Sequence, residues 1–299
     1  MTSSLQFAVL GSPIGHSLSP RLHRAAFALQ GLAWHYGRHQ VDEAGYTSFL
    51  ASLDAAWRGL SLTMPLKRVA LDTLDWVDPA AAQLQAVNTV RLDERGRRGW
   101  NTDVPGAAAA LRDAGVDRVR HVVFFGGGAT AGSLLATVHG IGATRATVVL
   151  RDPAKATAMQ ELSSAFGIDT AVVALADVAE AVALREADID LVVNTIPAAN
   201  GFPTDAPDSL CRQALFEASY SPWPSPAAER WQQAGGVVIP GIDMLIHQAV
   251  LQQRIFVLGS PEQPLPREAE VLAVMRAAVG RDLDAAWLGV PAGAGDEHS

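Results

Sequence analysis

Three consecutive glycines in Gly126-Gly127-Gly128-Ala129-Thr130-Ala131 follow an apolar run at residues 122–125 and open a segment with helical spacing. In a glycine-x-glycine-x-x-alanine pattern the first glycine permits a tight turn. The second lets the backbone approach a pyrophosphate, and the small last residue lets the helix pack on the strand. N–H groups exposed at the helix start then bind the phosphates, so the turn points to a dinucleotide. A ligand-free glycine turn is the plainer alternative, which the flanking strand and helix outweigh. At the end of the next strand stands Arg151-Asp152-Pro153-Ala154-Lys155. An acid alone there favours the free ribose hydroxyls of NAD. Arg151 and Lys155 instead offer charge to a 2′-phosphate, and a guanidinium both stacks on adenine and grips phosphate through its planar fork. NADP is therefore expected; Asp152, if turned to the ribose, keeps NAD open, and Lys155 has a plain reading as a solvated side chain. A further strand at 190–193 ends in Asn194-Thr195-Ile196-Pro197, and Thr195 is expected at the cofactor.

Further segments place polar side chains beside glycine or proline, where loops carry them. Gly11-Ser12-Pro13-Ile14-Gly15-His16-Ser17-Leu18-Ser19-Pro20 ends at a helix start. Ser19 is the obvious cap there; the two serines either merely cap the helix or hold a substrate carboxylate. Gly59-Leu60-Ser61-Leu62-Thr63-Met64-Pro65-Leu66-Lys67 ends in a lysine, which taken alone reads as a solvated charge. Asn88 in Val87-Asn88-Thr89, with Asn101 and Asp103 in Asn101-Thr102-Asp103, adds two amides and a carboxylate suited to the hydroxyls of a polyol ring. Gly241-Ile242-Asp243-Met244-Leu245-Ile246-His247-Gln248 opens a late helix, with Met244 and Gln248 four apart on one face as a pocket lining. His247 faces elsewhere and reads as a surface or core histidine.

These residues need elements to position them. A chain of 299 residues suits two cores with a cleft between. A strand at 6–10, a helix at 20–30 and the same alternation to about residue 100 predict a parallel-type α/β domain. A linking helix at 104–115, with Pro105 in its first turn and Gly115 at its carboxyl-terminal cap, leads to a second domain. There, strands at 122–125 and 146–150 with helices after each form a βαβ unit, a strand at 237–239 follows, and a long helix runs from 241 to about 256. The last residues, rich in Ala, Gly and Pro, read as a loose tail. A hydrophobic fraction of 49% supports a large core, while a net charge of −8 without a basic cluster excludes a nucleic-acid surface. The lone Cys211 cannot form an internal disulfide, and the histidines show no metal-ligand spacing. The amino terminus lacks a basic segment followed by an apolar run and no stretch approaches ~20 apolar residues, so no export and no membrane span are predicted and a cytoplasmic setting is expected.

Taken in order, the Gly-x-Pro-Ile-x-His-Ser-Leu-Ser-Pro start, Thr-x-Pro-x-Lys, Val-Asn-Thr, Asn-Thr-Asp, the glycine turn and Met-Leu-x-x-Gln resemble the shikimate dehydrogenase family over roughly residues 7–256. The resemblance implies reversible NADPH-dependent reduction of 3-dehydroshikimate on the route to chorismate and the aromatic amino acids. It implies a substrate-binding domain of residues 1–103 plus 242–299 and a Rossmann-type NADP-binding domain of 104–241, with the carboxyl-terminal helices returning to the first domain. By motif position Lys67 and Asp103 are the catalytic pair, and Ser17 and Ser19 hold the carboxylate. Thr63, Asn88 and Gln248 surround the ring hydroxyls, Tyr220 lies near the substrate, and Gly241 and Met244 sit where cofactor contacts are expected. The small molecules are the partners implied, in a monomer or homodimer. Three departures stand out: Ser61 replaces a common asparagine and trims a substrate contact, Arg24 follows His23 where asparagine is common, and Leu150-Arg151-Asp152 replaces an Asn-Arg-Thr clamp. Asp152 keeps an NAD-dependent quinate/shikimate dehydrogenase in view. A catalytically silent regulator is the other alternative, opposed by the presence of Lys67, Asp103 and a complete glycine turn together.

Overall fold

The computed structural model describes residues 4–178, 188–197, 202 and 206–281. The stretch expected as a tail lies outside the described residues, apart from its beginning. Two apolar strands, β1 (Gln6–Gly11) and β7 (His121–Phe125), are almost continuously buried and seed two six-stranded sheets. Burial on both faces is the signature of strands covered by crossover helices.

In the first sheet β1 lies between β2 (His35–Gln40) and β3 (Trp57–Leu62), both parallel to it. Helices α1 (Ser19–Leu29) and α2 (Glu43–Ala51) make the crossovers, and α3 (Leu66–Val69) turns away just past β3. After β4 (Trp76–Val77) and α4 (Pro79–Leu84) the pattern changes. β5 (Thr89–Asp93) runs antiparallel to β3, and β6 (Gly96–Trp100) antiparallel to β5. The parallel expectation fails here because a two-residue connection cannot hold a crossover helix. Gly96 takes φ +90°, and Asp93 Oδ1 accepts from Arg95 N at 3.0 Å to close the turn. The hairpin has a use: pairing Thr89 with Trp100 sets Asn88 beside the segment 101–103.

Helix α5 (Asp103–Asp113) leads into the second sheet, which comprises β7, β8 (Arg145–Leu150), β9 (Asp169–Ala174), β10 (Leu191–Asn194), β11 (Ala214–Glu217) and β12 (Val238–Pro240). All its pairings are parallel, in the order β12-β11-β10-β7-β8-β9. The order reverses between β7 and β10, which opens a crevice at their carboxyl ends where a doubly wound sheet binds its ligand. Helix α6 (Ala129–Gly140) follows the glycine turn, and α7 (Thr157–Ala165), α8 (Asp208–Cys211) and α9 (Pro226–Gln233) follow in sequence.

Helix α10 (Gly241–Leu258) packs along α5, and with α11 (Glu268–Ala278) it returns to the first domain. Ile246 and Ala249 of α10 and Val271 and Met275 of α11 share a core with Leu22 and Ala26 of α1. Gly106 lets α5 and α10 touch, because a Cβ there would stand 2.8 Å from the backbone nitrogen of Gln248. His247 lines neither the cleft beside the glycine turn nor the polar cavity next to it: its Nε2 lies 2.8 Å from Asp113 Oδ2, which also receives Arg276 at 2.7 Å. Among the described residues no helix is long and apolar enough to cross a membrane.

Candidate active site

A cleft of about 560 Å³ lies at the reversal point of the second sheet, and the glycine turn forms its floor. Gly126 takes φ +103°, and a Cβ on it would sit 2.4 Å from Thr195 Oγ1. Only glycine fits both the torsion and the approach. Nothing lies within 4 Å of a Cβ placed on Gly128, and no side chain caps the first turn of α6, so its N–H groups open on the cleft. The turn residues 126–131, Arg151, Lys155 and Thr195 all line this space. Thr195 itself is fixed by its backbone N–H and its hydroxyl, which donate to Phe125 O at 2.8 and 3.1 Å. These features fit a dinucleotide.

The positive side chains bear on the choice between NAD and NADP. Arg151 is exposed and makes no ion pair among the described residues, which leaves its fork for a phosphate. Asp152 is occupied otherwise: its carboxylate caps the following turn by accepting from Ala154 N at 3.1 Å, and lies 4.0 Å from Lys155 Nζ. The substrate domain closes the opposite side with Thr63, Met64, Pro65, Lys67 and Arg68. Sequence reading passed over Met64 and Arg68, since a basic residue beside Lys67 reads as another solvated charge.

A smaller cavity of about 150 Å³ adjoins this cleft, and Thr63, Lys67 and Thr130 line both. Ser17, Ser19, Asn88, Asp103, Tyr220 and Gln248 converge on it from five separate segments. Gly241 and Met244, expected at the cofactor, line this smaller cavity. Asp103 stands in the first turn of α5, where a carboxylate complements the helix dipole. Its Oδ2 accepts from Lys67 Nζ at 2.5 Å and its Oδ1 from Asn88 Nδ2 at 2.8 Å. With side chains only 12% and 8% exposed, Lys67 and Asp103 form a pair that water scarcely reaches. Such a pair survives burial only when further hydrogen bonds satisfy it, which is what Asn88 does. Backbone pairing sets the height of Lys67, as Val87 N donates to Lys67 O at 2.8 Å.

Some expected roles move. Asn101 does not reach the cavity: its Oδ1 caps α5 by accepting from Asp103 N at 2.9 Å, and its Nδ2 donates to Ala86 O at 3.0 Å. Ser19 is not a cap either, because it already lies inside α1 after Leu18, which makes no side-chain cap bond. Ser17 Oγ instead accepts from Ser19 N at 3.4 Å. Neither serine hydroxyl donates to protein among the described bonds, so both remain available to a ligand.

Behind the cavity lies a layer that sequence reading did not find. Tyr36 OH donates to Ser61 Oγ at 2.6 Å, and Ser61 Oγ donates to Gln252 Oε1 at 2.8 Å. Gln252 Nε2 spends its protons on Thr89 Oγ1 at 3.0 Å and Asn88 O at 3.2 Å. His23 completes the layer: its Nε2 donates to Gln252 Oε1 at 3.0 Å, while Gln253 Nε2 donates to its Nδ1 at 2.7 Å. Ser61 thus reaches the cavity wall with its proton committed, which is why the serine gives up the donor an asparagine would offer. Gln252 was legible in principle, four residues beyond Gln248 on the same helix face.

A parallel sheet with a glycine turn, opening through one lysine onto a small polar pocket, defines a dinucleotide-dependent dehydrogenase of a polyhydroxylated substrate. A family model described as the shikimate dehydrogenase substrate binding domain matches residues 9–90. The chain is 32% identical over 262 residues to the shikimate dehydrogenase (NADP(+)) of Methanococcoides burtonii, covering 85% of this chain and 93% of that one. The crystal structure of Mycobacterium tuberculosis shikimate dehydrogenase matches with a TM-score of 0.78 at 34% identity, over 91% of this chain and 99% of the other. That of the Thermus thermophilus enzyme in complex with NADP(H) and shikimate matches with a TM-score of 0.75 at 30% identity, over 92% and 99%. The chain belongs to the shikimate dehydrogenase family.

Proposed function

We propose that the chain interconverts 3-dehydroshikimate and shikimate with NADP(H), with Lys67 and Asp103 as its catalytic residues. One observation carries this reading above the others: Lys67 Nζ, held by Asp103, stands where the dinucleotide cleft and the polar cavity meet. The nicotinamide, when bound, supplies or accepts the hydride. In the reducing direction the Lys67 ammonium gives a proton to the ring oxygen as it becomes an alkoxide, and in oxidation the neutral amine takes that proton back. Asp103 fixes the ammonium in place, and Asn88 holds Asp103. The hydroxyls of Ser17 and Ser19 bind the substrate carboxylate; Thr63, Asn88, Gln248 and Tyr220 bind and orient the ring. Gly241 and Met244 form the wall between the substrate and the nicotinamide.

In this reading residues 126–131 and Thr195 cradle the dinucleotide, while Arg151 and Lys155 select the 2′-phosphate. The carboxylate of Asp152, committed to the turn at Ala154, supports the preference for NADP over NAD. The substrate domain comprises 1–103 plus 242–299 and the cofactor domain 104–241. A cytoplasmic enzyme fits the single buried Cys211, and a monomer or homodimer is the assembly proposed.

The test follows nicotinamide absorbance with purified protein and shikimate, comparing NADP⁺ with NAD⁺, then repeats with quinate. Turnover is expected with shikimate and NADP⁺. Turnover confined to NAD⁺ and quinate would replace the biosynthetic reading with a catabolic one, and tight shikimate binding without turnover would replace it with a ligand-binding regulator.

A further inference from the structure

Asp103 and Glu217 are the two buried carboxylates among the described residues, and the proposed reaction uses only the first. Glu217 ends β11 with 0% exposure. Three uncharged donors surround it: Asn194 Nδ2 at 2.7 Å and Ser225 Oγ at 2.9 Å on Oε2, and Ser219 N at 2.8 Å on Oε1. Burial pushes its pKa up, and the three hydrogen bonds oppose that rise. A buried carboxylate without a cation is costly to keep, so what it holds becomes the question.

Each donor leads to a wall of the site. Asn194 ends β10 immediately before Thr195 and Ile196, which line the cofactor cleft. Its amide cannot turn over, because Oδ1 accepts from Ile196 N at 3.1 Å while Nδ2 feeds Glu217. Ser219 lies between Ala218 and Tyr220, which line the substrate cavity. Ser225 Oγ accepts from Ala228 N at 3.1 Å and so has its own proton free for the carboxylate, tying the far end of the same loop. The start of α10 rests on this junction, since a Cβ on Gly241 would lie 2.3 Å from Ala218 O.

We propose that Glu217 is a positioning residue whose carboxylate clamps the loop after β10 to the loop after β11, holding Thr195-Ile196 at the cofactor and Tyr220 at the substrate in one register. It touches neither ligand and acts through both loops. The inference rests on the proposed reaction, and its test separates the two.

Glu217→Gln keeps the shape but places an NH₂ group against one of three donors, leaving at least one of them unpaired. Steady-state kinetics with shikimate and NADP⁺, equilibrium binding of each by calorimetry and thermal unfolding would be measured for wild type, Glu217→Gln and Glu217→Asp. We expect KM and Kd for both ligands to rise about tenfold in Glu217→Gln, the size of one unpaired buried donor, with a smaller fall in kcat. Glu217→Asp, which keeps the charge, should recover part of the loss. Both KM and both Kd values within twofold of wild type, whatever the melting temperature, would overturn the clamp, because a merely structural carboxylate lowers stability alone. If Glu217→Gln fails to fold, Ser225→Ala removes one donor from the carboxylate; a weaker shift in the same direction supports the proposal, and unchanged ligand affinities overturn it. A wild type that binds but does not turn over would end the reaction reading while the Kd comparison still decides the clamp, and a wild type that binds neither ligand ends both.

Discussion

Lys67 is a long, strongly hydrated side chain whose charge would ordinarily keep it in solvent, yet here it is held almost out of water by a carboxylate that is itself hydrogen-bonded to an amide. Removing the amine deletes the only side chain in that pair able to give up a proton beside the substrate. Lys67→Ala is therefore expected to lower kcat by at least about 100-fold, while the dissociation constant for NADP⁺ measured by calorimetry stays near that of wild type. Near-normal turnover in that variant would remove Lys67 from the chemistry. Arg151 calls for a different comparison, since it is exposed and makes no ion pair among the described residues. Arg151→Ala should raise KM for NADP⁺ far more than KM for NAD⁺, and equal effects on the two would refute a contact with the 2′-phosphate.

Among the elements, the pairing of α5 with α10 does most to shape the substrate pocket. α5 contributes Asp103 and α10 contributes Gln248, and Gly106 sets the distance between them. A methyl group at Gly106 would meet Gln248 Cβ at 2.7 Å. Gly106→Ala is expected to cost about 1–3 kcal/mol in urea unfolding, the usual penalty of overpacking, and to raise KM for shikimate as Gln248 is pushed aside. The layer linking α1 to α10 gives a second prediction, in pH. Burial lowers the His23 pKa from 6.5 to about 3, against the bond to Gln252 that raises it, so the imidazole is neutral when folded. The unfolded chain takes up a proton below pH 6.5 that the folded chain refuses until about pH 3. The stability tied to His23 is thus whole above the unfolded value and drains at about 1.4 kcal/mol per pH unit as pH falls through it toward the folded value. Urea unfolding at pH 7.5 and about pH 5 should differ by about 2 kcal/mol more in wild type than in His23→Gln. The same difference in both proteins would show that His23 is not the group responsible.

For the whole molecule, the arrangement of two cores matters more than either core. The cleft and the polar cavity are lined by residues that follow strands of both sheets, and the chain passes from the first sheet to the second near Val104 and leaves the second near Gly241. We propose that these crossings hinge and that the domains close over NADP⁺ and shikimate, excluding water from Lys67. Ligands together should then contract the radius of gyration in small-angle scattering and slow amide exchange in both 126–131 and 63–67. Identical profiles with and without ligands would count against closure.

Local sequence determined a good deal of this protein. The glycine turn, its flanking strand and helix, the long helix from Gly241 and the alternation of strands and helices were readable because each depends on neighbours a few residues apart. The motif order indicated the family and the residues to watch for the same reason. Tertiary structure alone decided what those residues do for one another. The hairpin that reverses the first sheet depends on pairing between β3, β5 and β6, and it is this pairing that brings Asn88 to Asp103. Which amide lines the cavity was equally invisible: Asn88 does so while holding Asp103, whereas Asn101, of the same type and just as polar, caps a helix away from it. Neither the committed hydroxyl of Ser61 nor the buried carboxylate of Glu217 leaves a local mark, because the bonds of Ser61 to Tyr36 and Gln252 and that of Glu217 to Asn194 join distant parts of the chain and form only once it is folded and water is excluded.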